Sequence, residues 1–156
     1  SGGGQEYGYR SGTVAPALAV GLGKAADIAS DEMVQEIGRT ATKMGRFKDM
    51  LFNALPGLIL NGDALARWQG NLNLTFPGID GSILLSSIRG IALSSGAACA
   101  SAVSGPSYVL QAIGKTEAEA QSSLRIGIGR FTTRIELDRA ADIIIKAVHE
   151  AGGIRL

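Results

Sequence analysis

Cysteine is almost missing: Cys99 is the only one among 156 residues, and His149 is the only histidine. One thiol cannot close an internal disulfide, and one Cys with one His cannot complete a zinc tetrahedron. A disulfide scaffold and a resident metal site are therefore both excluded, and the chain fits the cytoplasm or another reducing compartment. Aromatic residues are only 5% and the basic residues are scattered, so a stacking platform for single-stranded nucleic acid is lacking. Charge nearly cancels, 15 Lys and Arg against 14 Asp and Glu, which leaves no field to attract nucleic acid or an anionic membrane. No apolar run approaches the roughly 18 residues of a membrane span, and no signal peptide precedes the first motif. The run SGGGQ lacks the Lys-Ser/Thr ending of a P-loop, and no strand precedes it.

What is present is a globular mixture, 46% hydrophobic and 19% charged, long enough to bury roughly two-thirds of its unfolded surface. The opening SGGGQEYGYRSGT has no initiator Met and reads as the middle of a longer protein. Thr13 is placed to cap a helix over 14–29, with Pro16 in its first turn. That helix is apolar almost all round, through Leu18 and Leu22, which predicts burial against another domain or subunit. Ser30 or Asp31 is expected to cap a second helix, with a stripe of Met33, Ile37, Ala41, Met44, Leu51 and Leu55, ended by Pro56-Gly57. At about 1.5 Å per residue it is long enough to link two domains.

The pattern then shortens. LILNG (58–62) reads as a strand ending in an Asn-Gly turn, and NLNLTF (71–76) alternates strictly, as a half-buried strand does. Asp80 is placed to cap a short helix with Ile83, Leu84 and Ile88. GIALSS (90–95) is expected to be a third strand. A helix from Pro106-Ser107 stops at Gly114, and Thr116 with Glu119 forms a capping box. SLRIGIGRF (123–131) is a strand with Leu124, Ile126 and Ile128 facing the core and Arg125 facing away. Thr133 and Glu136 form a second box, before a helix that buries Leu137, Ala141, Ile144 and Val148. The fold class is α/β: a small sheet with packed helices, preceded by a long linking helix region.

Three residues stand out. Cys99 lies in Ser94–Ser107, among Ser, Ala and Gly side chains too small to anchor a loop. It is either a nucleophile on a mobile loop or one more small apolar core residue. Arg125 is either a surface cation paired with an acid or a ligand-binding guanidinium with room beside its glycines. His149, at a helix end, reads as a charge on the helix dipole rather than a catalytic base.

Several motifs together resemble the C-terminal part of a cysteine desulfurase, of the pyridoxal-phosphate-dependent class V aminotransferase fold. They are GGGQEYGYRSGT, NLNLTFPGIDGSILLSSIRGIALSSGAACAS, GPSYVLQAIG and SSLRIGIGRFTT, in order and spacing. The loop before PSYVL is similar to that of the long-loop branch. The resemblance implies that Cys99 takes sulfur from L-cysteine as a persulfide, with release of L-alanine, and makes a transient iron–sulfur contact at most. It implies that Arg125 binds the substrate α-carboxylate and that Thr13 contacts the cofactor phosphate of the partner subunit in a homodimer. Sulfur then passes to an acceptor or iron–sulfur scaffold protein, for cluster assembly or tRNA thiolation.

It also implies a division into 1–30 on the large-domain and dimer side, 31–55 as linking helix, and 56–156 as the small domain. The family's cofactor lysine follows a His, and none of Lys24, Lys43, Lys48, Lys115 or Lys146 does. The N-terminal half, on the same or a separate chain, is therefore an expected partner, and this chain alone is expected to be inactive. Trp68-Gln69 replaces a proline usual in relatives, and Gly127 replaces a serine. The alternative is a non-catalytic sulfur-carrier or scaffold-docking module that retains the cysteine loop.

Overall fold

A computed structural model describes residues 2–95 and 106–152. It divides into two compact units, 1–36 and 37–156. In the first, a loop closes on itself. The Gln5 side chain accepts from the Gly12 N–H at 3.0 Å, and the Arg10 guanidinium donates to the Gly12 carbonyl at 2.6 Å. Helix α1 then runs unbroken over Pro16–Ala54. The two expected helices are one, because nothing between 24 and 37 breaks the backbone ladder: that stretch has no Gly or Pro. Ser30 and Asp31 lie inside it and cap nothing. Nor does Thr13 stand at the cap position: the Ala15 carbonyl accepts from Leu18 and Ala19, both at 3.1 Å, so the helix starts two residues later.

In the second unit, Met44, Phe47 and Leu51 of α1 fall at helical spacing and are buried. They pack in one core with three strands and two further helices. Strands β1 (Ile59–Leu60), β2 (Asn71–Thr75) and β3 (Ser123–Gly127) form an antiparallel sheet in the order β1-β2-β3. Leu72 and Leu74 of β2 stand opposite Ile126 and Leu124 of β3 and line its core face. Helix α2 (Gly81–Ser87) is capped by Asp80, whose carboxylate accepts from the N–H groups of Ser82 (2.8 Å) and Ile83 (3.2 Å). Helix α5 (Arg134–Glu150) closes the core with Leu137, Ala141, Ile144, Ala147 and Val148. Burying a side chain such as Phe47 or Ile144 contributes roughly 1.5–3 kcal/mol.

Two short helices, α3 (Tyr108–Ala112) and α4 (Glu117–Gln121), precede β3. Gly114 ends the first at a φ of 88°, a left-handed conformation that suits glycine. Both expected capping boxes are present, Thr116 with Glu119 and Thr133 with Glu136. The expected third strand over 90–95 is not formed. Only Ser94 pairs, as an isolated bridge to Arg125, since Gly90 adopts a φ of 83° and turns the chain. In unit 1–36, Leu18, Val20 and Leu22 are exposed.

Candidate functional site

Backbone pairing decides what surrounds Arg125. Its N–H donates to the Ser94 carbonyl at 2.6 Å, and its carbonyl accepts from the Ser94 N–H at 3.3 Å. Both polar backbone groups of a strand residue point to the same edge, so none is left for β2. Arg125 and its register partner Asn73 therefore form a non-hydrogen-bonded cross-strand pair, the kind in which Cα atoms lie only about 4.5 Å apart. Their side chains share the face opposite the core, where Arg125 is exposed and Asn73 half-buried.

Over that face opens a cleft of about 230 Å³, with Arg125, Arg67 and Asn73 on one side and Val109, Leu110 and Ile113 on the other. Among the described residues, both charged residues in its wall are arginines and no acidic residue lines it. Among the described residues the Arg125 guanidinium has no hydrogen bond or ion pair. Of the two sequence readings, the surface cation paired with an acid is thus not what this unit shows. A guanidinium held open beside amide donors is suited to a carboxylate, whose two oxygens match its fork.

The cleft's wall is tied from behind. Arg67 donates through Nη2 to the Asn71 carbonyl at 3.0 Å and through Nη1 to the Asn61 carbonyl at 3.3 Å, and its Nε is buried without a partner. Asp63 accepts from the N–H groups of Ala66 (2.6 Å) and Leu65 (2.7 Å). Those bonds, Ala66 first, hold its carboxyl below the usual aspartate value, and the Arg67 charge adds to them. Beneath Asn73 runs a buried polar cluster of Asn61, Thr75 and Ser123. Sequence reasoning missed Arg67 and this cluster. The available signal was the choice of Asn and Thr, rather than charged residues, at alternate positions of NLNLTF.

A larger cleft, about 540 Å³, opens on the other side of β3, lined by Phe47, Ile126, Ile128, Phe131 and residues of α5. Glu136 and Arg139 line it beside these apolar residues, and it does not include Arg125.

Thr13 belongs to unit 1–36. Its side chain is exposed and without a hydrogen-bond partner among the described residues, and it follows Gly12 at a φ of 91°. A free hydroxyl in a glycine-rich loop fits a phosphate oxygen. The lysines are elsewhere: Lys43 donates to the Thr132 carbonyl at 2.7 Å, Lys115 pairs with Glu119 at 3.1 Å, and none lines the Arg125 cleft. Cys99 lies outside the described residues, and the loop reading of Ser94–Ser107 falls there too, apart from its two ends. At those ends, Ser94 bridges to Arg125 and Ser107 lines the cleft. Among the described residues there is no cluster of metal-ligating side chains, and no helix is long and apolar enough to cross a membrane.

Comparison with known proteins agrees with these motifs. The family described as aminotransferase class-V matches residues 3–140. The chain is 52% identical to a mitochondrial cysteine desulfurase of Drosophila melanogaster, over 95% of this chain and 32% of that protein. It is 45% identical to the cysteine desulfurase IscS of Rickettsia typhi, over 95% of this chain and 36% of that one. It thus spans about a third of the length of the curated relatives it matches. A solved NifS-like protein superposes with a TM-score of 0.79 at 27% identity, over 96% of this chain and 38% of that one. With a match that runs through most of its length, the chain belongs to the aminotransferase class-V family and is similar, within it, to the cysteine desulfurases.

Proposed function

We propose that this chain carries the sulfur-accepting and carboxylate-binding part of a pyridoxal-phosphate-dependent cysteine desulfurase acting on L-cysteine. The observation that carries the reading is Arg125: among the described residues its guanidinium has no partner and its cleft no acidic wall, at the position where the family resemblance implies a carboxylate ligand. Residues 1–30 would lie on the large-domain and dimer side, 31–55 would link, and 56–156 would form the small domain. The exposed Leu18, Val20 and Leu22 support cover by a second copy or by the rest of the enzyme.

In this reading Arg125 holds the α-carboxylate of L-cysteine and Thr13 donates to the cofactor phosphate. When bound, pyridoxal phosphate supplies an electron sink, and its lysine comes from outside this chain. The Cys99 thiolate attacks the sulfur of the held cysteine. A sulfur–sulfur bond forms, the substrate carbon–sulfur bond breaks, and its electron pair stays with the three-carbon skeleton. Protonation there gives L-alanine, and the persulfide passes to an acceptor or iron–sulfur scaffold protein.

The test assembles the chain with the lysine-bearing remainder and supplies L-cysteine. One added sulfur on the Cys99 peptide by mass spectrometry, with one alanine per sulfur, is expected, and Cys99→Ser should lose both. Alanine release by Cys99→Ser at the unmodified rate would overturn the reading. Sulfur uptake on Cys99 from a separate donor, with no alanine formed by the assembly, would point instead to a non-catalytic sulfur carrier.

A further inference from the structure

The buried polar cluster under the cleft has a fixed hydrogen-bond polarity, and that polarity determines what Asn73 offers to a ligand. The Glu119 backbone carbonyl can only accept, so Ser123 Oγ must donate to it, at 2.6 Å. With its one proton committed, Ser123 meets its other neighbours with lone pairs. Those neighbours are Thr75 Oγ1 at 2.8 Å and one end of the Asn61 amide at 3.1 Å. An amide oxygen there would face a second acceptor, so that end is the nitrogen. Thr75 spends its one proton on Ser123 and offers a lone pair to the same Asn61 nitrogen at 2.9 Å, and that nitrogen donates to Asn73 Oδ1 at 2.7 Å. Asn61 is itself buried and held through its backbone N–H on the Asn73 carbonyl at 2.9 Å, so it has little freedom to turn over.

Asn73 is thereby oriented. Its oxygen is consumed by the cluster, and its Nδ2 donor is left without a partner among the described residues, in the wall of the cleft. Arg125 is its non-hydrogen-bonded cross-strand neighbour, whose Cβ such pairing brings within roughly 4.5–5.5 Å. The geometry points to Asn73 as a second substrate donor: its Nδ2–H, aimed by Asn61, and the Arg125 guanidinium together bind the α-carboxylate. The inference rests on the reading of Arg125 as carboxylate ligand. It adds a residue that confers selectivity for a planar anion, because a neutral amide in place of the carboxylate would bring its own N–H donors against two donors.

The experiment measures binding of L-alanine and L-alaninamide to the assembled holoenzyme by calorimetry, with KM and kcat for L-cysteine alongside. In Asn73→Asp the oxygen that accepts from Asn61 is kept, and the free donor becomes a negative charge. L-Alanine should bind at least about tenfold more weakly, with little change for L-alaninamide, and KM should rise more than kcat falls. Asn73→Ala should weaken L-alanine several-fold, and a retained urea midpoint in Asn73→Asp, which keeps the acceptor for Asn61, separates ligand contact from loss of fold. Arg125→Gln distinguishes the two levels of the argument. If Arg125→Gln leaves L-alanine affinity intact, the carboxylate assignment itself fails. If Arg125→Gln weakens L-alanine but both Asn73 variants bind it as tightly as the unmodified protein, Asn73 is not a donor and the inference is overturned.

Discussion

Truncating Asn61 to alanine tests whether the cluster beneath the cleft holds as its distances imply. The side chain donates its two amide protons into the network, one to Asn73 Oδ1 at 2.7 Å and the other towards the Thr75 and Ser123 hydroxyls. Alanine removes both donations. The hydroxyls keep each other at 2.8 Å, and Ser123 keeps the Glu119 carbonyl at 2.6 Å, so neither is orphaned. Asn73 is half-buried and its oxygen can turn to water. At about 1 kcal/mol net per hydrogen bond, with a smaller penalty for the void, the loss comes to about 2–3 kcal/mol. With a urea m-value of about 1–3 kcal/mol/M, the unfolding midpoint should fall by roughly 0.7–3 M. A midpoint within about 0.2 M of the unmodified protein would refute the network.

Asn61→Asp sharpens the test. A carboxylate there faces the Ser123 lone pairs and Asn73 Oδ1, so burial and those acceptors raise its pKa above the unfolded value of about 3.9. A folded pKa that is raised gives stability fully present below the unfolded pKa and lost as pH rises through the folded one. Asn61→Asp should therefore be less stable than Asn61→Ala at pH 7 and approach the unmodified protein as pH falls towards 4, where a neutral acid can donate to Asn73. A gap to the unmodified protein that stays constant with pH would contradict burial of the cluster.

Thr133→Ala removes the α5 cap, in which Thr133 Oγ1 accepts from the Glu136 N–H at 3.2 Å; a loss of about 1 kcal/mol should appear as a lower Tm. Glu136 and Glu119 are held below the ordinary glutamate value, first by the N–H groups of Thr133 and Thr116. Lowered folded pKa values give stability present above the unfolded glutamate pKa of about 4.3 and lost as pH falls through the folded ones. Urea midpoints should thus decline below about pH 4. Glu136→Gln should flatten that decline, and an unchanged slope would speak against the box.

The elements most legible in the sequence were those whose cause is local. Two Thr-x-x-Glu boxes, the Asp80 cap and the alternation in NLNLTF each act within a few residues, and each appears as read. Arg125 was legible for the same reason, because strand parity alone puts it opposite Leu124 and Ile126. Longer-range causes were not. Ser30 and Asp31 carry the chemistry of a cap, yet no Gly or Pro lies between 24 and 37, and the α1 backbone ladder continues through. GIALSS has strand composition, but only Ser94 finds a partner edge. Asn61 looked like half of an Asn-Gly turn. Its role depends on Ser123, 62 residues away, which no local pattern reveals.

The two faces of one sheet explain why this unit needs something from outside itself. The core face is covered by Phe47, Leu84 and α5. On the other face, the half around Thr75 and Ser123 is closed by the Asn61 amide and the Glu119 carbonyl, while the described residues leave the half around Arg125 and Asn73 open. Two carboxylates beside this face are committed elsewhere: Glu119 to Lys115 and the Thr116 cap, and Asp63 to its own turn. A guanidinium and an oriented amide donor thus share a face with no anion among the described residues to meet them. Two donors held in place before any ligand arrives lose less freedom on binding than donors that must first be ordered. The same buried cluster that adds stability to the fold therefore also sets the geometry of the site, so substitutions at Asn61 should weaken carboxylate binding and lower the unfolding midpoint together.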